Sequence, residues 1–309
     1  MTVTSSTELR PLVSVVIPCY NQAHYLGDAI RSATSRGFPV EIVVVDDGST
    51  DGTACVAAEF AHVRTVRQPN RGLSAARNRG LAESTGGFII FLDADDRLLP
   101  GAIDTAARAL VANPDCAMAY GRCVMMGPDG DFRPTPEPPS VTSDHHVALL
   151  RTNLIWMPAM AIFRREPVAQ AGGFTPGVDG SADYDLYLRI SREHAIHDHG
   201  RLVAAYRRHA ASMSGNAGRM LRDTLAVMAR NRPHGEPARL EAWREGYRSW
   251  QDFYGTQLVE EIRLHLRRAE TAAAMRKSLA LARLAPMVFA REVARKTRLT
   301  LHAVPARTP

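Results

Sequence analysis

Within its first hundred residues this chain alternates short apolar runs with amphipathic stretches, and that order leaves few folds open. Val13–Ile17, Glu41–Val45, Val63–Val66 and Phe88–Leu92 read as strands. Helices are predicted between them, over Tyr25–Ser35, from Asp51-Gly52-Thr53 onward, and over Leu73–Glu83. Strand, helix and strand in repeated order require a mainly parallel sheet covered by helices, an α/β architecture. The run Phe88-Ile89-Ile90-Phe91-Leu92 has no polar alternation, which marks a strand buried on both faces.

The pattern loosens after a helix over Ile103–Val111. Ala117–Met126 reads as a strand, residues 128–140 carry five prolines and read as a loop, and Leu154–Phe163 is an apolar segment broken at Pro158. The turn Gly172-Gly173-Phe174 leads through Gly177, Gly180 and Ser181 to a helix beginning near Asp183. Leu202–Tyr206 reads as a last strand. Beyond about Asn216 the chain is helical in character, punctuated by Pro233, Pro237 and Pro286.

Three carboxylates, Asp93, Asp95 and Asp96, follow the Phe88–Leu92 run, where strand ends in open α/β sheets meet their ligands. Crowded acids repel unless a cation lies among them. Hard oxygen ligands suit Mg²⁺ or Mn²⁺, ions that bridge to substrate phosphates. Capping of a helix that starts near Pro100 explains Asp95 and Asp96 about as well. A second acidic group, Asp46-Asp47-Gly48-Ser49-Thr50-Asp51-Gly52-Thr53, closes the second strand. A calcium loop starting at Asp47 fails, because Ala58 stands where a bidentate Glu is needed. A turn with Ser49, Thr50 or Asp51 capping the next helix leaves Asp46 unexplained. At the mouth of the sheet, this acceptor-only carboxylate can take a donor N–H of a base or a sugar hydroxyl.

Composition excludes several classes. Hydrophobic content of 45% and charged content of 23% are those of an ordinary globular chain. The first residues show no signal-peptide pattern, and no apolar stretch is long enough to span a membrane. Cys19, Cys55, Cys116 and Cys123 lack CxxC spacing, as expected of reduced thiols in a cytoplasmic protein. From Arg276 onward eight Lys or Arg face one acid, Glu292, for a net of +7; the whole chain is +6, so everything before is near neutral at −1. A basic tail of this kind argues against a nucleic-acid-binding face on the main body.

Together the segments resemble the family 2 glycosyltransferases, inverting enzymes of the GT-A fold. The likeness runs from about Leu12 to Met213. It rests on VSVVIPCYNQ at Val13–Gln22, EIVVVDDGSTDGT at Glu41–Thr53, QPNRGLSAARNRG at Gln68–Gly80 and GGFIIFLDADD at Gly86–Asp96. FRRE at Phe163–Glu166, GGF at Gly172–Phe174 and ADYDLYLR at Ala182–Arg189 follow in order. The resemblance implies a GT-A, Rossmann-like sheet flanked by helices, with a C-terminal helical appendage. Residues 1–11 would be a tail and 12–215 the glycosyltransferase domain. Its nucleotide-binding half would cover 12–112 and its acceptor-binding half 113–215. A helical region, 216–309, basic from 276, would complete the chain.

The resemblance also implies roles. Pro18, Tyr20 and Asn21 would wall the nucleotide base, and Asp46 would accept a base N–H, as in relatives with uridine or thymidine donors. Arg77 would lie near the diphosphate, which its fork of donors suits; a solvated helix face is the alternative. Asp93 would contact the ribose or the metal shell, Asp95 would bind a divalent cation, Mn²⁺ or Mg²⁺, and His209 would reach the diphosphate or complete the metal shell. Where the family usually carries Glu-Asp, this chain has Ala182-Asp183, so Asp183 would be the general base; N-capping after Ser181 is the competing use. Asp185, Trp156, Gly173 and Phe174 would meet the acceptor. His194, His197 and His199 lack metal-site spacing and read as solvated.

The implied reaction is transfer of a sugar from a UDP- or dTDP-sugar to a hydroxyl of a glycan or lipid-linked acceptor in cell-surface glycan or glycoconjugate synthesis. Lack of a Gly-rich loop after the first strand excludes a sugar-nucleotide pyrophosphorylase and a dinucleotide dehydrogenase. A glycosidase would need a paired acid and base and no diphosphate site. A degenerate protein that binds sugar nucleotides without transferring is the alternative, because Ala182 removes a Glu. Trp243, Tyr247, Trp250 and Tyr254 form a helical stripe suited to packing on the main domain. The mixed apolar and basic stretch 275–299 suits peripheral contact with the cytoplasmic face of an anionic membrane; a solvated helix pair is the other reading.

Overall fold

Val13–Cys19 forms β1, buried along its whole length, and the sheet is built outward from it. The computed structural model describes residues 10–210 and 212–302. After β1 come α1 (Ala23–Ser32), β2 (Val40–Asp46), α2 (Thr53–Ala58), β3 (Val63–Arg67), α3 (Leu73–Glu83) and β4 (Phe88–Phe91). The strand order β3-β2-β1-β4 is parallel throughout, the right arrangement for strands joined through helices. As the apolar runs predict, β1 and β4 are buried on both faces, and β2 is buried from Ile42 onward. Gly80 lets α3 lie close on the sheet: a Cβ there would sit 2.2 Å from Val16 Cγ1 and 3.2 Å from Val45 Cγ2.

Beyond β4 the sheet changes direction. It continues through β5 (Arg97–Leu98), α4 (Ala102–Ala112), β6 (Cys116–Met126), β7 (Phe132–Arg133), α5 (His145–Arg151), β8 (Ala161–Arg164), α6 (Arg165–Gln170), α7 (Ala182–Glu193) and β9 (Ala195–Arg207). The full order is β3-β2-β1-β4-β8-β6-β9-β5, with β7 on β6; β8 is antiparallel to both β4 and β6, and β6 is parallel to β9. The α/β sheet flanked by helices is as expected. The small strands β5 and β7 are too short to leave a periodic signal. β9 starts at Ala195, well before Leu202, because its polar first half pairs with β6 across register irregularities near Tyr120 and Arg122. There Asp198 accepts from Arg122 at 2.7 and 2.8 Å, an ion pair inside a strand that hydrophobic patterning cannot detect.

The strands belong to one compact unit, ending at Ala210 and excluding Leu150–Thr152; a second unit holds those three residues and the chain from 211. The second unit consists of α8 (Ala217–Arg230), α9 (Pro237–Arg267), α10 (Thr271–Leu284) and α11 (Pro286–His302). Asn216 caps α8 by accepting from Arg219 N at 3.0 Å, and Pro237 occupies the first turn of α9. Leu221, Leu225, Leu258, Val259, Ile262, and Leu281 form its core, with Tyr247, Trp250 and Tyr254 packed against it. Tyr247, Trp250 and Tyr254 of the aromatic stripe thus pack on the core of the helical unit itself. Trp243 Nε1 donates to the Met228 carbonyl at 2.6 Å, and Trp250 stacks on Tyr254 with centroids 5.6 Å apart. Among the described residues no helix is long and apolar enough to cross a membrane.

Candidate active site

The carboxyl ends of β1, β2 and β4 open on one edge of the sheet, since Cys19 pairs with Asp46 and Val16 with Phe91. Such an edge, at the strand where connections reverse direction, is where open α/β sheets leave a crevice. At the β2 end Asp46 is buried. Its Oδ1 accepts from Ser49 N at 2.8 Å, while Oδ2 has no hydrogen-bond partner and lies 3.6 Å from Arg67 Nε. A buried acceptor oxygen left without a hydrogen bond fits a site for an incoming N–H.

The neighbouring residues brace this edge. Asp47 accepts from Gln68 Nε2 at 2.7 Å and from the backbone N–H of Arg71 and Gly72 at 2.9 Å each, so it anchors the approach to α3. Asn21, at φ 52°, accepts from Thr50 N at 2.8 Å, and its own N–H donates to Ser49 Oγ at 3.0 Å. Asn21 thus ties the β1 and β2 loops together. Tyr20 is 47% exposed, whereas Pro18 is buried within β1 opposite Val45.

At the β4 end, Asp93 accepts from Arg77 Nη2 with both oxygens, at 2.7 and 3.0 Å. Arg77 reaches it from α3, is only 2% exposed and lies with its guanidinium 5.1 Å from the Phe174 ring centroid. It is not on a solvated helix face. Its charge also reaches Asp183 in the first turn of α7. Burial pushes the Asp183 carboxyl up to about 6, against the opposing pull of Arg77, and the Asp93 charge adds to the rise. Tyr184 N donates to Asp183 Oδ1 at 2.8 Å.

The short pairing of β5 with β9 carries the Asp95-Asp96 turn across to the end of β9. Asp95 Oδ2 lies 2.9 Å from His209 Nε2. Burial raises the Asp95 carboxyl, with Asp93 adding to the effect and His209 opposing it. Asp96 is buried and lies well above the usual carboxylate range for the same primary reason; its Oδ1 accepts from Arg207 N at 2.8 Å. Arg207 is the residue that sequence reading missed. It is 2% exposed, donates through Nε to the Asp95 carbonyl at 2.7 Å and through Nη1 to the Pro128 carbonyl at 2.6 Å, and stands 4.5 Å over the Tyr25 ring. Its signal was an arginine at the end of an apolar strand, two residues before His209.

A metal fits this corner in one way only. Among the described residues no three His, Cys, Asp or Glu side chains converge into a ready cation cage. Asp95 and His209 supply two adjacent donors, and Asp93 is already held by Arg77. Mg²⁺ and Mn²⁺ commonly take one or two protein ligands and complete their shells with phosphate oxygens and water.

The model of the glycosyl transferase family 2 domain matches residues 14–172, half of the chain. The chain is a family 2 glycosyltransferase. An uncharacterized protein of Mycobacterium tuberculosis is 30% identical over 263 residues, covering 78% of each chain. The O-antigen biosynthesis protein RfbC of Myxococcus xanthus is 33% identical over 220 residues; this covers 68% of the glycosyltransferase and 17% of that much longer relative. Among solved structures, TarS 1–349 of S. aureus in complex with UDP-GlcNAc has a TM-score of 0.60 at 18% identity, covering 79% of this chain and 71% of that one. The mannosyltransferase PcManGT of Pyrobaculum calidifontis, solved with GDP-Man and Mn²⁺, has a TM-score of 0.56 at 21% identity, covering 94% and 81%. These likenesses show the fold, which is GT-A.

The other half of this glycosyltransferase places the expected acceptor residues unevenly. Trp156 is half-buried, between α5 and β8. Phe174 is buried beneath Arg77, 4.7 Å from the Phe91 ring, with its backbone clamped at both N–H and C=O by Asn78 at 2.8 Å. Gly173 sits at φ 69° and is also buried; a Cβ there would meet Asn78 Oδ1 at 2.5 Å. Asp185 is buried too, accepting from Thr175 Oγ1 at 2.6 Å and Arg189 Nε at 2.9 Å. These three hold the Gly172–Ser181 segment in place and present no open surface. The three histidines are not simply solvated: His194, His197 and His199 are all half-buried, and burial pushes His199 down to about 4.

Proposed function

We propose that this family 2 glycosyltransferase transfers a sugar, with inversion, from a UDP- or dTDP-sugar to a hydroxyl of a glycan or lipid-linked acceptor in cell-surface glycan synthesis. The observation that carries the reading is the linked set Asp93–Arg77–Asp183 at the carboxyl edge of the sheet. A carboxyl near 6 is poised to take the acceptor's proton at neutral pH as that oxygen attacks the anomeric carbon. Asp46, with its open buried oxygen, would receive the N–H of the uracil or thymine base.

Asp95 and His209 would hold the divalent cation, which supplies charge neutralisation of the departing diphosphate. Neighbouring structures support a nucleotide-sugar donor, and one contains Mn²⁺. Arg77 has its charge committed to Asp93 and Asp183, so its main part is to keep the base and the donor-side carboxylate in fixed relation. All four cysteines are free thiols, which suits the cytoplasm, where nucleotide sugars are found. Incubation with a panel of nucleotide sugars, read by release of nucleoside diphosphate and by thermal shift, tests the reading. Stabilisation by UDP-sugars with Mn²⁺ and release of UDP support it; no response to any uridine or thymidine donor would remove it.

A further inference from the structure

The last two helices each bury one face and leave another in solvent. Leu281 of α10 and Val288 of α11 are buried with Leu258, Val259 and Ile262 of α9. On the open side, Met275 and Leu279 are each 67% exposed, and Met287 at the start of α11 is 71% exposed. Single exposed apolar residues mean little. Here they share a stripe with cations: Met275, Arg276, Leu279 and Arg283 fall within one side of a 3.6-residue helix.

The charge around them is one-sided. From 271 to 296 six Lys or Arg stand against one acid, Glu292, and Glu292 is itself closed by Arg263 and Arg295. Lys277 is paired with Glu261 and Arg291 with Asp252. Arg276 and Arg283 have no carboxylate partner among the described residues. A polyanion such as nucleic acid would engage these arginines and leave Met275 and Leu279 idle. An acidic lipid surface uses both chemistries at once: phosphate for guanidinium, and the acyl boundary for methionine and leucine side chains.

We propose that the outer face of α10, with Met287 of α11, docks on an anionic lipid bilayer. The site is independent of the sugar-transfer reading. Full-length protein is sedimented with vesicles of phosphatidylcholine alone and of equal parts phosphatidylglycerol and phosphatidylcholine, at low and at physiological salt. The expected result is binding to the mixed vesicles that weakens with salt and is at least about tenfold stronger than to phosphatidylcholine. Arg276→Gln combined with Arg283→Gln should lower it roughly thirtyfold and flatten the salt dependence. Met275→Ser combined with Leu279→Ser should lower it while keeping the salt dependence. All four side chains project from the surface, so circular dichroism, melting temperature and nucleoside-diphosphate binding should not change. No sedimentation at low salt overturns the proposal. So does unchanged binding by the serine variant, which would show a surface for polyanions in general.

Discussion

One nitrogen of Arg77, Nη2, donates to both carboxylate oxygens of Asp93, at 2.7 and 3.0 Å, and the same guanidinium draws the Asp183 carboxyl downward. Asp93 pushes Asp183 the other way. Burial is the main cause of the raised Asp183 carboxyl, and these two residues, both outside α7, trim it in opposite directions. Asp93→Asn removes the upward push, so the acid limb of the kcat/KM profile should move to lower pH. A limb that moves upward, or does not move, would show that Asp183 is not the group being titrated.

In the unmodified protein that acid limb should lie near pH 6, since kcat/KM reports the free enzyme and Asp183 sits at about 6 there. The same carboxyl affects stability with a definite sign. Folded, it keeps its proton to about pH 6; unfolded, only to its ordinary value of 3.8. It therefore favours the folded state below 3.8, and this advantage is lost as pH rises through about 6. Urea midpoints for the protein and for Asp183→Asn, compared between pH 4 and 7, isolate this contribution; it should vanish in the variant.

Asp183→Asn and Asp95→Ala should fail differently. The first retains shape and hydrogen bonding but cannot accept a proton, so transfer should fall by about 10²–10⁴ while nucleoside-diphosphate affinity survives. Asp95→Ala removes one of two adjacent donors for the cation, so UDP binding in Mn²⁺ should weaken together with turnover. Calorimetry with UDP and Mn²⁺ beside transfer assays separates the defects. Equal UDP binding by Asp95→Ala with and without Mn²⁺ would take the cation away from this corner.

Arg207→Gln should disturb the proposed cation corner although Arg207 supplies no ligand to it. The guanidinium holds the Asp95 carbonyl and the Pro128 carbonyl from a fully buried position. Hydrogen bonds involving a charged group contribute about 1.5–3 kcal/mol each. Loss of both should lower stability by roughly 3–6 kcal/mol in denaturant titration. Mn²⁺-dependent UDP binding should weaken as well, because Asp95 would no longer be held beside His209.

Gly80→Ala tests the packing that brings Arg77 to Asp93. The added methyl would enter the space of Val16 Cγ1, 2.2 Å away, in a buried helix–sheet contact. Overpacking of this kind costs about 1–3 kcal/mol. Thermal unfolding should show that loss. Turnover should drop too, since α3 cannot shift away from β1 without moving Arg77.

Much of this protein is written in local patterns. The apolar runs at Val13–Ile17 and Phe88–Leu92 sufficed to specify buried parallel strands, because burial on both faces leaves no polar alternation. Leu73–Glu83 was legible as α3 at both ends, and the acids at strand ends marked the edge proposed as the active site. What the tertiary structure alone decided concerns partners far apart in the chain. Arg77 meets Asp93 because Gly80 lets α3 approach β1, Asp95 meets His209 because β5 pairs with β9, and Arg207 holds the Asp95 carbonyl from 112 residues away. Asp183 and Asp185 look alike in sequence, two residues apart on one helix. A helix turns about 200° over that interval, so one carboxylate joins the site and the other is closed by Thr175 and Arg189. No local pattern carries that distinction, because it depends on which neighbours the folded chain brings to each side of α7.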